Sequence, residues 1–120
     1  MVCGKNYVGS FYLFETLDWA IELVPEDESI IEGLLDDYDV VIVTISQRDG
    51  ATISKSSKDS GISVDTETNT INLSLTQSET GAFSKGDAEI QINVKFNNSN
   101  RKVSVKGNIQ VLDNLYKEVI

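Results

Sequence analysis

Carboxylates are the side chains most able to do chemistry in this sequence, because it contains no histidine and a single cysteine. General acid–base catalysis near neutral pH relies mostly on histidine, or on a carboxylate held in an apolar cleft. The aspartates and glutamates fall instead in predicted loops and on polar strand faces. A glycosidase-type carboxylate pair is the enzymatic alternative, although no apolar setting for it is evident. The sequence therefore predicts no catalytic residue, no cofactor and a protein that is not an enzyme.

The densest charge cluster lies between residues 26 and 39. Its acids are Glu26, Asp27, Glu28, Glu32, Asp36, Asp37 and Asp39. Calcium favours clustered carboxylates on loops, but the Asp-x-Asp-x-Asp-Gly spacing of a calcium loop is absent. Four aliphatic residues also interrupt the acids, namely Ile30, Ile31, Leu34 and Leu35. We interpret the stretch as a solvated acidic rim around a small apolar patch, with a metal site as the alternative, and predict no metal ligands.

Lysines form a second, smaller cluster. Lys95, Lys102 and Lys106 are predicted to share the outward face of two paired strands, which gives a positive patch on an acidic protein. A solvated face is the ordinary interpretation of such a patch. The alternative is contact with an acidic loop of a neighbouring copy, because opposite charges across an interface fix its register.

The last residues of the sequence, 113–120, include four apolar side chains, whereas chain ends are usually polar and mobile. Leu115, Tyr116, Val119 and Ile120 form the candidate interface. Their burial is expected, either against the same sandwich or as a strand added to an exposed sheet edge of a neighbouring subunit.

Strands must position these residues, because apolar and polar side chains alternate along most of the chain. Residues 88–96 alternate without a break, and 102–111 repeat the pattern after an asparagine-rich hairpin turn at 97–100. Six further strands are predicted at 10–15, 19–23, 40–45, 51–56, 62–64 and 71–75. About eight short strands with turn signals between them are typical of a sandwich.

Three local features refine this pattern. The β-branched run 40–45 suits a central strand covered on both faces, or a strand at a partner surface. Residues 48–50 predict a three-residue hairpin loop with Gly50 at positive φ. A helical turn is possible at 29–35, and a second one at 76–83 begins with the capping-box pair Thr76 and Glu79.

The alternating positions predict a core. Its members are Trp19, Ile21, Leu23, Val41, Val43, Ile45, Ile71, Leu73, Ile90, Ile92, Val94, Val103 and Val105.

Length and charge bound the remaining possibilities. The 120 residues suit one domain spanning 1–120, which we predict to be an all-β immunoglobulin-like antiparallel sandwich of seven to eight strands. The net charge of -9 disfavours nucleic acid and anionic membranes as partners. The unpaired Cys3 and the absence of a hydrophobic leader predict folding in a cytoplasm.

Three motifs carry a family resemblance: VDTETNTI at 64–71, LTQSET at 75–80 and GDAEIQINV at 86–94, with a weaker match over 41–55. They resemble small immunoglobulin-like structural proteins of tailed phages and prophages of Gram-positive bacteria, such as the N-terminal domain of the upper baseplate protein. The resemblance implies a virion protein of the tail, baseplate or head-to-tail region, made in the bacterial cytoplasm. It also implies assembly with other virion proteins or with itself as a homo-oligomer.

A ligand-binding β-sandwich module is the alternative function. Such a module would recognise carbohydrate through exposed aromatic side chains, for which Tyr7, Tyr12, Tyr38 and Tyr116 are the candidates.

Overall fold

The computed structural model describes residues 7–23, 35, 38–48, 50–97 and 102–119, with the backbone alone at 7, 8, 102 and 103. These residues form eight strands and one short helix. In chain order they are β1 (Tyr7–Tyr12), β2 (Leu17–Glu22), β3 (Tyr38–Ser46), β4 (Thr52–Ser56), β5 (Ile62–Asp65), β6 (Thr70–Leu75), α1 (Gln77–Gly81), β7 (Gly86–Phe96) and β8 (Lys102–Leu112). The prediction of an all-β sandwich is confirmed.

The strands form two sheets of unequal size. The larger sheet has the order β1-β8-β7-β3-β4, and the smaller has the order β2-β6-β5. All pairs are antiparallel except β1 and β8, which run parallel. β1 and β4 are the edges of the larger sheet, and β2 and β5 are the edges of the smaller one.

The core lies between the sheets because each strand turns alternate side chains inward. Ile92 on β7 illustrates this, since it pairs with Val43 on β3 and with Val105 on β8. Of the predicted core, the following are buried: Leu23, Val41, Val43, Ile45, Ile71, Leu73, Ile90, Ile92 and Val94. Trp19, Ile21 and Val105 are only partly buried and pack against that cluster, and the side chain of Val103 lies outside the described residues.

Aromatic rings connect the two sheets near one end of the sandwich. The Phe11 ring on β1 meets the Trp19 ring on β2 edge to face, with centroids 6.1 Å apart. It meets the Phe83 ring in the same manner at 5.7 Å. Such edge-to-face pairs contribute about 0.5–1.5 kcal/mol beyond the area that they bury.

Two predicted strands differ from those observed. β1 ends at Tyr12 rather than at residue 15, because Phe14 adopts a left-handed φ of 61° and the amide of Glu15 bonds back to the carbonyl of Tyr12. β3 is not covered on both faces, because Ile42 is exposed while Val41 and Val43 are buried. Its outward face remains open.

The β3–β4 loop has the predicted length but not the predicted conformation. The amide of Gln47 bonds to the carbonyl of Ala51, which encloses residues 48–50, although Asp49 lies outside the described residues. Gly50 does not have a positive φ, so that prediction was wrong. A side chain at Gly50 would instead crowd Gln47, since an added Cβ would stand 3.1 Å from Gln47 Cβ.

The capping box at 76–79 is confirmed. Thr76 Oγ1 accepts the amide of Glu79 at 3.2 Å, and Glu79 Oε1 accepts the amide of Thr76 at 2.9 Å. The resulting turn, α1, carries the chain from the smaller sheet to the larger one. Of the other predicted helical turn, only Leu35 is described, and it is buried in the core. Among the described residues no helix is long and apolar enough to cross a membrane.

Replacement of Ile92 by alanine tests the core. Because Ile92 is buried between two partner strands, Ile92→Ala should lower the free energy of unfolding by about 2–5 kcal/mol in a urea titration. Lys95→Ala, on the exposed face of the same strand, is the matched control and should change it by less than about 0.5 kcal/mol. A loss near zero at Ile92 would mean that β7 is not central.

Candidate functional site

The described loops that flank α1 gather at one end of the sandwich, which we call the α1 end. It consists of the β1–β2 turn (residues 13–16), the β3–β4 loop (47–51), α1 with the residues up to β7 (76–85), and the segment after β8. We call that last segment, residues 113–120, the tail. The candidate interface residues of the sequence all belong to it.

The β1–β2 turn is fastened to α1. Thr80, which is fully buried, donates its hydroxyl to the carbonyl of Glu15 at 2.8 Å. The Phe14 ring covers Gly81 so closely that a Cβ added there would stand 2.6 Å from Phe14 Cδ1. Glycine is therefore required at position 81 because the Phe14 ring leaves no space for a Cβ, and not because of the backbone conformation of Gly81.

Gln47 fastens the β3–β4 loop to the chain beyond α1. Its side-chain amide donates to the carbonyl of Ser84 at 2.5 Å and accepts the amide of Ser84 at 2.7 Å. The side chain of Gln47 thus bonds to both backbone groups of Ser84, as a residue of a neighbouring strand would. Because Gln47 is buried, both of its polar atoms need these partners.

Lys55 on β4 completes the α1 end by an ion pair with Glu79. Partial burial raises the pKa of the Glu79 carboxyl, but the bond from Lys55 and the amide of Thr76 lower it by more. The net effect holds the pKa below its ordinary value of 4.5. The ionised form of Glu79 is therefore part of the folded structure at neutral pH.

A groove of about 480 Å³ opens beside this ion pair. The described residues that line it are Thr16, Lys55, Ser60, Gly61, Ser74, Leu75, Thr76, Gln77, Ser78, Glu79 and Val119. The volume falls within the range of pockets that take small ligands or a few side chains, roughly 300–1,000 Å³. The described lining contains hydroxyls, one ion pair and two large aliphatic side chains, but no aromatic ring. Val119 belongs to the tail, so the tail reaches the groove.

The tail is held at its start and exposed beyond it. Asn114 Nδ2 donates to the carbonyl of Leu13 at 3.0 Å, which fixes the tail to the β1–β2 turn. Leu115 is then fully exposed, and Tyr116 and Val119 are each more than half exposed. The expectation that this segment is buried is not met within one molecule. Ile120 lies outside the described residues.

The lysine patch lies elsewhere, on the outward face of the larger sheet. Lys95 and Lys106 are both exposed on that face, and the backbone of Lys102 pairs with that of Lys95. Around them, hydroxyl and amide side chains bond to one another across strands, as Thr44 does with Ser54 and Ser104 with Asn93. This face is an exposed, mainly polar surface distinct from the α1 end.

The acidic cluster lies outside the described residues except for Asp39, whose carboxylate pairs with Lys58 at 3.2 Å. Within the described ranges no three acidic or thiol side chains are grouped as metal ligands would be. The assignment of this cluster as a solvated rim stays a prediction.

The candidate tyrosines do not form one surface. Tyr12 is exposed and pairs with Leu112 near the α1 end, whereas Tyr38 is half-buried and pairs with Phe96 at the opposite end of the larger sheet. Tyr116 is on the tail, and the side chain of Tyr7 lies outside the described residues. A carbohydrate platform built from Tyr12 and Tyr38 together is therefore ruled out by their separation.

Comparison of the chain with models of known protein families and with curated proteins gives no match. The function must accordingly be argued from the site. Sequence reasoning missed Gln47, Phe14 and the Lys55–Glu79 pair, whose partners are distant in the chain. One usable signal was the polar Gln47 directly after a β-branched strand.

Gly81→Ala tests the packing at the α1 end. Alanine normally favours a helix over glycine by about 0.5–1 kcal/mol, but here its methyl group would enter the Phe14 ring. We expect a net loss of about 1–3 kcal/mol in unfolding free energy. Ser78→Ala in the same helix should be nearly neutral. In a Phe14→Ala background the cost of Gly81→Ala should disappear, and a stabilised Gly81→Ala protein would contradict the packing.

Glu79→Gln tests the ion pair through its pH dependence. Glutamine can keep the capping bond but not the charge. Because the pKa of Glu79 is lowered by folding, its charge stabilises the fold above about pH 4.5, and this stabilisation is lost as pH falls through the lowered folded-state value. The variant should therefore lose less stability than the wild type in acid-titrated thermal melts. Lys55→Gln should flatten the profile in the same direction, and parallel profiles would refute the role of the pair.

Proposed function

We propose that this chain is a structural protein of a tailed phage or prophage particle and that it works by protein–protein assembly through its tail. The observation that carries the proposal is the exposure of Leu115, Tyr116 and Val119 on a segment anchored to the α1 end of the sandwich. Contiguous apolar side chains left in water commonly mark protein interfaces. An assembly protein needs such a surface. We propose no catalytic residue.

The strand arrangement supports an immunoglobulin-type sandwich as the finer fold. Lettered in chain order with β4 as C′, the smaller sheet has the order B-E-D and the larger has A-G-F-C-C′. Immunoglobulin domains place B, E and D in one sheet and G, F and C in the other. The first strand differs from the constant-type arrangement, because β1 joins β8 in the larger sheet.

The sequence motifs support the virion assignment. They cover the end of β5 with the β5–β6 turn, the β6–α1 crossover and most of β7. Of these segments, the β6–α1 crossover lies at the α1 end, and the β5–β6 turn lies at the opposite end of β6. The proposed location is the tail, baseplate or head-to-tail region, with synthesis in the bacterial cytoplasm. The proposed partners are copies of this chain or other virion proteins.

Mass spectrometry of purified particles tests the virion assignment. Particles induced from the strain that encodes the chain should contain its peptides in a fixed ratio to known tail proteins. Its presence in the lysate but absence from the particles would refute the assignment. In that case, binding in a glycan-array screen would support the ligand-binding module instead.

Truncation after Asp113 tests the role of the tail. The shortened protein should keep its folded spectrum, because the core ends with β8, but it should lose self-association in light scattering at matched concentration. Leu115→Ser is the sharper variant, since Leu115 is fully exposed and contributes nothing to the core. Lys117→Ser, in the same tail, is the polar control. Unchanged assembly in both the truncated protein and Leu115→Ser would exclude the tail as the contact.

A further inference from the structure

We propose that the tail exchanges between copies of this chain, so that the tail of one copy lies in the groove of another. The inference rests on the proposed assembly function and names the partner, which is a second copy, and the surface that receives it, which is the groove beside Lys55 and Glu79.

The groove already accepts the tail of its own molecule. Val119 lines it together with residues from the β1–β2 turn, β4, β6 and α1. The lining suits this segment because it combines the aliphatic side chains of Leu75 and Val119 with several hydroxyls. About 480 Å³ remains open, so the single tail does not fill it.

The tail has few described polar contacts with the sandwich. Asn114 is its one described polar anchor, through the carbonyl of Leu13. The polar contacts described for residues 115–119 stay within the tail: the amide of Tyr116 bonds to Asn114, its hydroxyl to Glu118, and Lys117 pairs with Asp113. Opening the tail therefore breaks no described polar contact between residues 115–119 and the sandwich.

Exchange recovers whatever contacts opening loses, because the receiving groove is identical in every copy. This equivalence makes swapping of identical elements a low-cost route to oligomers. Exchange also offers what the single molecule lacks, since Leu115 is fully exposed there and would lie beside a second sandwich. A reciprocal exchange gives a dimer, and a sequential exchange gives a ring or filament.

Mixed disulfide trapping distinguishes exchange from the closed monomer. Cys3 is the single cysteine, so a Cys3→Ser background gives a protein without thiols. Val119→Cys is made in one sample, and Ser78→Cys or Ser60→Cys, with an added mass tag, in the other. After mixing and mild oxidation, only two different molecules can give the tagged heterodimer. Disulfides require Cα atoms within about 7 Å, so they report close approach.

Glu67→Cys is the control partner, because Glu67 lies in the exposed β5–β6 turn at the far end of β6 from α1. We expect at least tenfold more heterodimer with a groove cysteine than with Glu67→Cys. Equal yields with groove and control cysteines overturn the exchange. Oligomers that persist in light scattering without this trapping also overturn it, while leaving the proposed assembly function in place.

Discussion

A chain that crosses from one sheet to the other leaves backbone N–H and C=O groups without strand partners, so these groups must bond elsewhere. This constraint governs the α1 end. The capping box satisfies the first amides of the crossing, Thr80 supplies a bond to the β1–β2 turn, and Gln47 pairs with both backbone groups of Ser84. The bonds of Thr80 and Gln47 each join a different loop to the crossover. The α1 end is consequently a platform of bonded segments from separate parts of the sequence.

Much of the fold could be predicted because its signals are local. Ile90, Ile92 and Val94 alternate with polar residues and do face the core, and the Thr76–Glu79 spacing predicts its own capping box. The boundary of β1 could not be predicted, because the turn at Phe14 uses a left-handed φ without a glycine to mark it.

The site was less predictable because it depends on contacts between distant residues. Gln47 and Ser84 are 37 positions apart, and nothing near either residue announces the other. The apolar character of Leu115 and Tyr116 predicted that this segment is buried. Residue type could not show that these two side chains are exposed in the single molecule, because it gives a preference for burial but not the surface that would bury them.

In the proposed assembly, a second copy covers the exposed apolar tail at the α1 end. Hydrogen exchange followed by mass spectrometry measures this directly, on the same protein in dilute and in assembled samples. Coverage of the tail should slow exchange in peptides spanning residues 113–119 and 74–79 on assembly, with little change in the β5–β6 turn. Equal exchange of the tail amides in the two samples would contradict it.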